Sequence, residues 1–298
     1  MAHELGQDLE LFKHASGLCF LSLPMFSDIP TTVWDEIPSL IVSDTVHGKI
    51  GNVVNHPSPP GIKELVLREY SGFGYFPLSS CTPPRLCTSI STLKLELHEN
   101  ENSSRNALVD TVFSSFTFPS LSCLVIMTGG RHPYREAWPK ATLGSFLHRS
   151  SCVLTKFEVR RISVTDTDLI TALNLMPSLV NLYVDDTPPG DDPVSPITPR
   201  FIRSLHGLLR SELNPSSSAL VPELRELRLT FNGLEFDDSA FIDMVSSRWF
   251  PDALGVGLSC LRVVTLQFNA RPVDEVVYRP LDCLDEAGMM VVVVGKDG

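Results

Sequence analysis

The apolar positions of this chain recur in one short phrase: an apolar residue, then two more at i+3 and i+5. Leu18, Leu21 and Leu23 make the first copy, and Ile37, Leu40 and Val42 the second. Ile62, Leu65 and Leu67 follow, then Ile90, Leu93 and Leu95, then Leu121, Leu124 and Ile126. The remaining copies are Leu154, Phe157 and Val159; Leu179, Leu182 and Val184; Leu224, Leu227 and Leu229; and Leu261, Val264 and Leu266. The last two apolar positions of each copy alternate with a variable residue, which is the period of a short strand. The first sits where the chain enters that strand and turns inward. Four copies share a lead-in of the MPSL, VPEL, FPSL or LSCL type. One such phrase arises by chance in a leucine-rich chain, whereas nine with common lead-ins point to stacked parallel strands.

The spacing between copies is irregular, from 19 residues (18 to 37) to 45 (179 to 224). Leucine-rich repeats run about 20–29 residues, so several units carry insertions. Segments between the strands read as helices. Thr165 is an N-cap candidate with Asp168 three residues on, and Leu169, Ala172, Leu173 and Met176 share one face. Thr198 precedes Pro199, which suits the first helical position. Asp238 can cap SAFIDMVSSRW, and Pro139 starts PKATLGSFLHR. The expected fold is therefore α/β: a leucine-rich repeat solenoid, or horseshoe, with parallel strands on the concave face and helices on the convex one. It spans 1–298 as a single domain of about nine irregular repeats, with a Pro/Asp-rich loop inserted at 185–200. A short helix (QDLELFKHA) is expected at the amino end. A last helix (LDCLDEAG) and a last strand (MMVVVV) close the chain, and the run Val291 to Val294 should pair with the preceding strand.

Composition narrows the function. Forty of 298 residues are Leu, and 35 Asp and Glu against 24 Lys and Arg give a formal charge of −11. Such a chain is a poor partner for phosphate backbones. No apolar run reaches the roughly 18 residues of a membrane span, and the amino end has no basic-then-apolar signal. These features predict an intracellular protein, cytoplasmic or nuclear, that binds neither nucleic acid nor membrane. The seven cysteines include no CxxC pair, so reduced, mostly buried thiols are expected. The aspartates of 185–200 lack the register of a Ca²⁺ loop. The glycine-bearing stretches at 71–76, 127–132 and 255–260 match no phosphate loop, and there is no GxSxG elbow. No metal, cofactor or catalytic constellation is expected. The nearest approach to one is His98, Glu99 and Asp110, which lack motif spacing.

The stretch FLHRSSCVLTKFEVRRISVTDTDLITALNLMPSLVNLYVDD resembles the leucine-rich region of the large F-box-like protein families of mushroom-forming basidiomycete fungi. VPELRELRLTF, followed by FIDMVSSRW and LSCLRVV, is similar to it as well, and LDCLDEAGMMVVV looks like the close of those proteins. Elements of the RSSC…L, LPSL and SRW type recur together in that family, and the resemblance covers roughly 10–295. It implies a substrate-recognition region of a ubiquitin ligase receptor. The family also carries an amino-terminal F-box, opening with a Leu-Pro-x-Glu type sequence, that docks a Skp-type adaptor. Residues 1–17 do not match it, so adaptor docking is expected only if an F-box lies upstream.

In a leucine-rich strand the residues between the leucines point to the concave face. The candidate protein-binding residues are Arg68, Lys94 and Glu96; Lys156, Glu158 and Arg160; Asn181, Tyr183 and Asp185; and Glu226 and Arg228. Val66, Cys123, Val125, Met127 and Thr230 lie on the same expected rows. Tyr and Arg are enriched at binding hot spots, so Tyr183 flanked by Arg160 and Arg228 is the favoured patch. The bland alternative is a solvated face laced with cross-strand ion pairs such as Lys156 with Asp185 or Glu226 with Arg160. The expected function is non-enzymatic recognition of an unidentified protein. An α/β enzyme of unknown activity, or an amino-terminally truncated product without independent function, are the alternatives.

Overall fold

The computed structural model describes residues 20–23, 39–42, 62–68, 84–97, 107–128, 138–186, 195–207, 219–249 and 257–296. They belong to two compact units, Met1–Val153 and Leu154–Gly298.

In the first unit, β1 (Phe20–Leu23), β2 (Ser39–Val42) and β3 (Glu64–Arg68) are followed by β4 (Arg85–Leu86), β5 (Thr92–Leu97), β6 (Phe116–Thr117) and β7 (Cys123–Thr128). The strands β1, β2, β3, β5 and β7 pair in that order, all parallel. The two-residue strands β4 and β6 form a separate small parallel ladder. In the second unit, β8 (Lys156–Arg160), β9 (Asn181–Asp186), β10 (Glu226–Phe231), β11 (Val263–Phe268) and β12 (Met290–Val294) pair consecutively, again all parallel. Each of the nine apolar phrases thus carries one strand, and the valine run pairs with the strand before it.

Burial explains why the phrase works. From Ile62 to Leu261, the defining residues of every copy are at most 4% exposed. A buried leucine of this kind contributes about 1.5–3 kcal/mol relative to an exposed one. A four- to six-residue strand has only a few such side chains, so stacking on its neighbours is what completes the core. The backbone entering the strands repeats as well. The carbonyl of Lys63 accepts from Ser91 and Thr92, and that of Ser91 from Ser122 and Cys123. In the second unit Thr155, Val180 and Arg225 do the same for Val180 and Asn181, Arg225 and Glu226, and Arg262 and Val263. One carbonyl anchoring two consecutive N–H groups of the next copy fixes its register.

The helices are α1 (Ala107–Ser115), α2 (Lys140–Ser150), α3 (Asp166–Asn174), α4 (Pro199–Ser204), α5 (Asp238–Trp249), α6 (Glu275–Tyr278) and α7 (Asp282–Glu286). Thr165 caps α3 as expected: its hydroxyl accepts from the Asp168 N–H at 3.1 Å and donates to the Asp168 carboxylate at 3.0 Å. Thr198 caps α4 by accepting from Phe201 N–H at 3.1 Å. The cap of α5 is Asp237, not Asp238, because its Oδ1 accepts from Ala240 N–H at 3.0 Å. Asp238 is engaged elsewhere: it accepts from Arg271 Nη1 at 3.1 Å and from the Tyr278 hydroxyl. Burial, then the Asp238 hydrogen bond and charge, push the Tyr278 hydroxyl well above its ordinary value.

Some expectations change. The helix α1 fits the general expectation of helices between the strands, and an additional short strand, β4, comes between β3 and β5 in the chain. Of the five described cysteines only Cys87 is buried; Cys283 is exposed and the other three are half-buried. The proposed helix in QDLELFKHA and residues 187–194 of the inserted loop fall outside the described residues, as do His98 and Glu99. The third member of that cluster, Asp110, accepts from the Thr142 hydroxyl at 2.7 Å, joining α1 to α2.

Candidate recognition face on the parallel strands

The register of the second unit sets out three rows across its strands. One is Lys156, Asn181, Glu226, Val263 and Met290. The next is Glu158, Tyr183, Arg228, Thr265 and Val292, and the third is Arg160, Asp185, Thr230, Gln267 and Val294. The leucines fall on the opposite side because strand side chains alternate. Period 2 alone therefore places eight of the eleven candidate residues on these rows. Lys156, Glu158, Arg160, Asn181, Tyr183, Glu226 and Arg228 line a depression of about 220 Å³.

Its chemistry is layered. Glu158 lies at the bottom, its side chain 6% exposed, with Lys156 at 2.8 Å on one side and Arg160 on the other. Burial pushes the Glu158 carboxyl up, but the Lys156 hydrogen bond and the Arg160 charge outweigh it and hold the group below the usual carboxylate range. It is a buried carboxylate kept ionised by two cations. Glu226 accepts from Arg228 Nε at 2.6 Å and from the Asn181 amide. The Arg160 guanidinium lies over the Tyr183 ring, 4.6 Å from its centroid, a cation–π contact. Its Nε is buried without a hydrogen-bond partner among the described residues.

Sequence placed these residues on one face but not their pairings. Lys156 stands opposite Asn181, four residues along the strand from Asp185, and both Lys156 and Arg160 reach Glu158 instead. Asp185 stands opposite Arg160, and its carbonyl accepts from Arg161 N–H at 2.6 Å. The remaining candidates lie in the first unit. There the pairs run across strands: Arg68 Nε to Glu96 and Lys94 to Glu64, each at 2.5 Å. Four expected surface positions are buried: Val66, Val125, Glu158 and Thr230. The two valines make those parts of the rows apolar and closed.

A second depression, of about 310 Å³, is lined by Tyr278, Leu281, Val291 and Val293 with Glu275, Asp282 and Asp285 at its rim. Among the described residues no group of three or more His, Cys, Asp or Glu is placed to hold a metal ion. Among them, too, no helix is long and apolar enough to cross a membrane. No protein-family model matches the chain, and no curated protein matches it.

Proposed function

We propose that the chain is a non-enzymatic protein-recognition module, built as a leucine-rich repeat solenoid whose strand face receives the partner. The observation that carries this is the assembled patch on the second unit. Tyr183 is covered by Arg160, and Arg228 stands beside it in register on the next strand. Aromatic and arginine side chains of this kind, held rigid by neighbours, make hot spots because little side-chain freedom is lost on binding. The repeat reading draws on the nine phrases and on the recurrent carbonyl that anchors each new copy. The resemblance to F-box-like proteins adds a role, selection of substrates for a ubiquitin ligase, with a Skp-type adaptor engaged only through an upstream F-box.

The test compares affinity capture by the wild-type chain with capture by Tyr183→Ala and Arg228→Ala. A direct partner should be recovered by the wild type and lost from both variants, with their thermal unfolding unchanged. Identical recovery by all three would place binding elsewhere, and a screen for hydrolase or nucleotide-binding activity that scored positive would overturn the non-enzymatic reading.

A further inference from the structure

We infer that the occupant of this face is an extended acidic peptide segment. It sets one carboxylate on Arg160 and Arg228 and an apolar side chain on the strip formed by Met290, Val292 and Val294. The inference rests on the recognition reading and adds to it the chemistry of the partner.

Depth within the charged patch decides the sign. The carboxylates lie low, with Glu158 6% and Glu226 23% exposed, and the cations lie high, with Lys156 48%, Arg160 35% and Arg228 54% exposed. A chain of formal charge −11 therefore presents a cationic outer layer on this patch. Donors also exceed acceptors. Each guanidinium has five N–H groups. Arg228 spends Nε and Nη2 on a single oxygen of Glu226, which leaves other N–H groups of its guanidinium for an incoming acceptor. An incoming carboxylate, with its several lone pairs, supplies what the patch lacks. A basic side chain would have to reach past the cations to find Glu158.

The rows then change character toward β12. Val263 and Thr265 on β11 are half-buried and short, and Met290, Val292 and Val294 are 54%, 38% and 44% exposed on the same side. Strands lie about 4.8 Å apart, so Val292 is roughly 10 Å from Arg228, the reach of about three extended residues. The surface thus offers a charge anchor and an apolar anchor at a spacing one strand-like segment can span.

The experiment selects phage-displayed random peptides of about a dozen residues on the full chain, then measures synthetic winners by fluorescence anisotropy. Winners should be enriched in Asp or Glu with a Leu, Ile, Val or Phe about three or four positions away. Arg228→Gln should weaken them about tenfold, the scale of one charge-assisted hydrogen bond, as should Asn or Gln in place of the peptide's acid. Val292→Asp should weaken them by repelling that acid and removing the apolar contact, and added salt should weaken them further. Arg160→Gln should act similarly, but Arg160 also serves Glu158, so Arg228→Gln is the decisive variant. Winners without acidic enrichment that still lose binding with Tyr183→Ala would overturn the acidic partner and leave the recognition reading standing. If no winner depends on Tyr183, both fall.

Discussion

Glu158 shows how much one position on a strand can carry. A carboxylate at 6% exposure would ordinarily be neutral, and here the two cations at i−2 and i+2 of its own strand keep it charged. Its folded pKa is depressed, so it contributes stability in full above the unfolded value, near 4.5. That contribution is lost as pH falls through the lower folded value. Glu158→Gln should therefore be less stable than wild type at pH 7 and at pH 5. The gap should narrow below about pH 4.5, where the wild-type carboxylate starts to take up protons. Urea unfolding at pH 7, 5 and 3.5 reads it directly, and a gap that stays constant across the three would mean the pair is not coupled to folding. The face of Glu158 was legible in KFEVR, because period 2 decides it. Its burial was not, because depth depends on the long side chains that fold over it from both sides.

At the scale of elements, the RSSC and SRW sequences turn out to be the same device used twice. Arg248, wholly buried in α5, donates from Nε to Leu205 O, from Nη1 to Val221 O at 3.1 Å and from Nη2 to Leu220 O at 2.6 Å. Burial lowers its pKa to about 10, which leaves it charged at neutral pH. Ser247 beside it accepts from Gly207 N–H at 3.0 Å. In the first unit Arg149, near the end of α2, donates to Phe113 O, to Phe116 O at 2.8 Å and to the Thr117 hydroxyl at 3.1 Å. Ser150 next to it accepts from Phe118 N–H at 3.2 Å. Each arginine ties its helix to one carbonyl at the carboxyl end of the helix before it, Leu205 O or Phe113 O, a group that a helix leaves unpaired, and to further carbonyls beyond that helix. Arg248 also holds Val221, a β-branched residue at φ 44°, where such a side chain is strained. Arg248→Met leaves three carbonyls unpaired and should cost on the order of 3 kcal/mol or more. Arg149→Met, nearer solvent, should cost less, and Arg248→Lys should fall between because an ammonium cannot fork to all three. Urea midpoints that rank these variants otherwise would refute the shared role. The strands, and the caps at Thr165 and Thr198, were readable because they depend on residues a few positions apart. The clamps were not, since Arg248 reaches residues 27 to 43 positions away.

At the scale of the whole molecule, a stack of parallel strands has to manage its edges, and among the described residues β12 pairs with β11 alone. Successive residues of a parallel strand direct their backbone groups to opposite sides. Met290 N–H bonds Arg262 O in the direction of β11, so Val291 and Val293 point theirs to the open side. A four-valine strand with one open backbone edge would template further strands. Asp285, on α7, occupies part of that position: its Oδ1 accepts from Val291 N–H at 3.1 Å. It satisfies one edge donor and sets a negative charge where an added strand would have to lie. Asp285→Ala removes both effects with little loss of packing, because the side chain is exposed. The variant should unfold at nearly the wild-type denaturant midpoint yet self-associate faster with rising concentration, measured by static light scattering. Asp285→Ala combined with Val292→Lys should return to the wild-type rate, since a lysine on the edge opposes strand addition by charge. If Asp285→Ala stays as monodisperse as wild type at the highest concentration reached, Asp285 does not guard the edge.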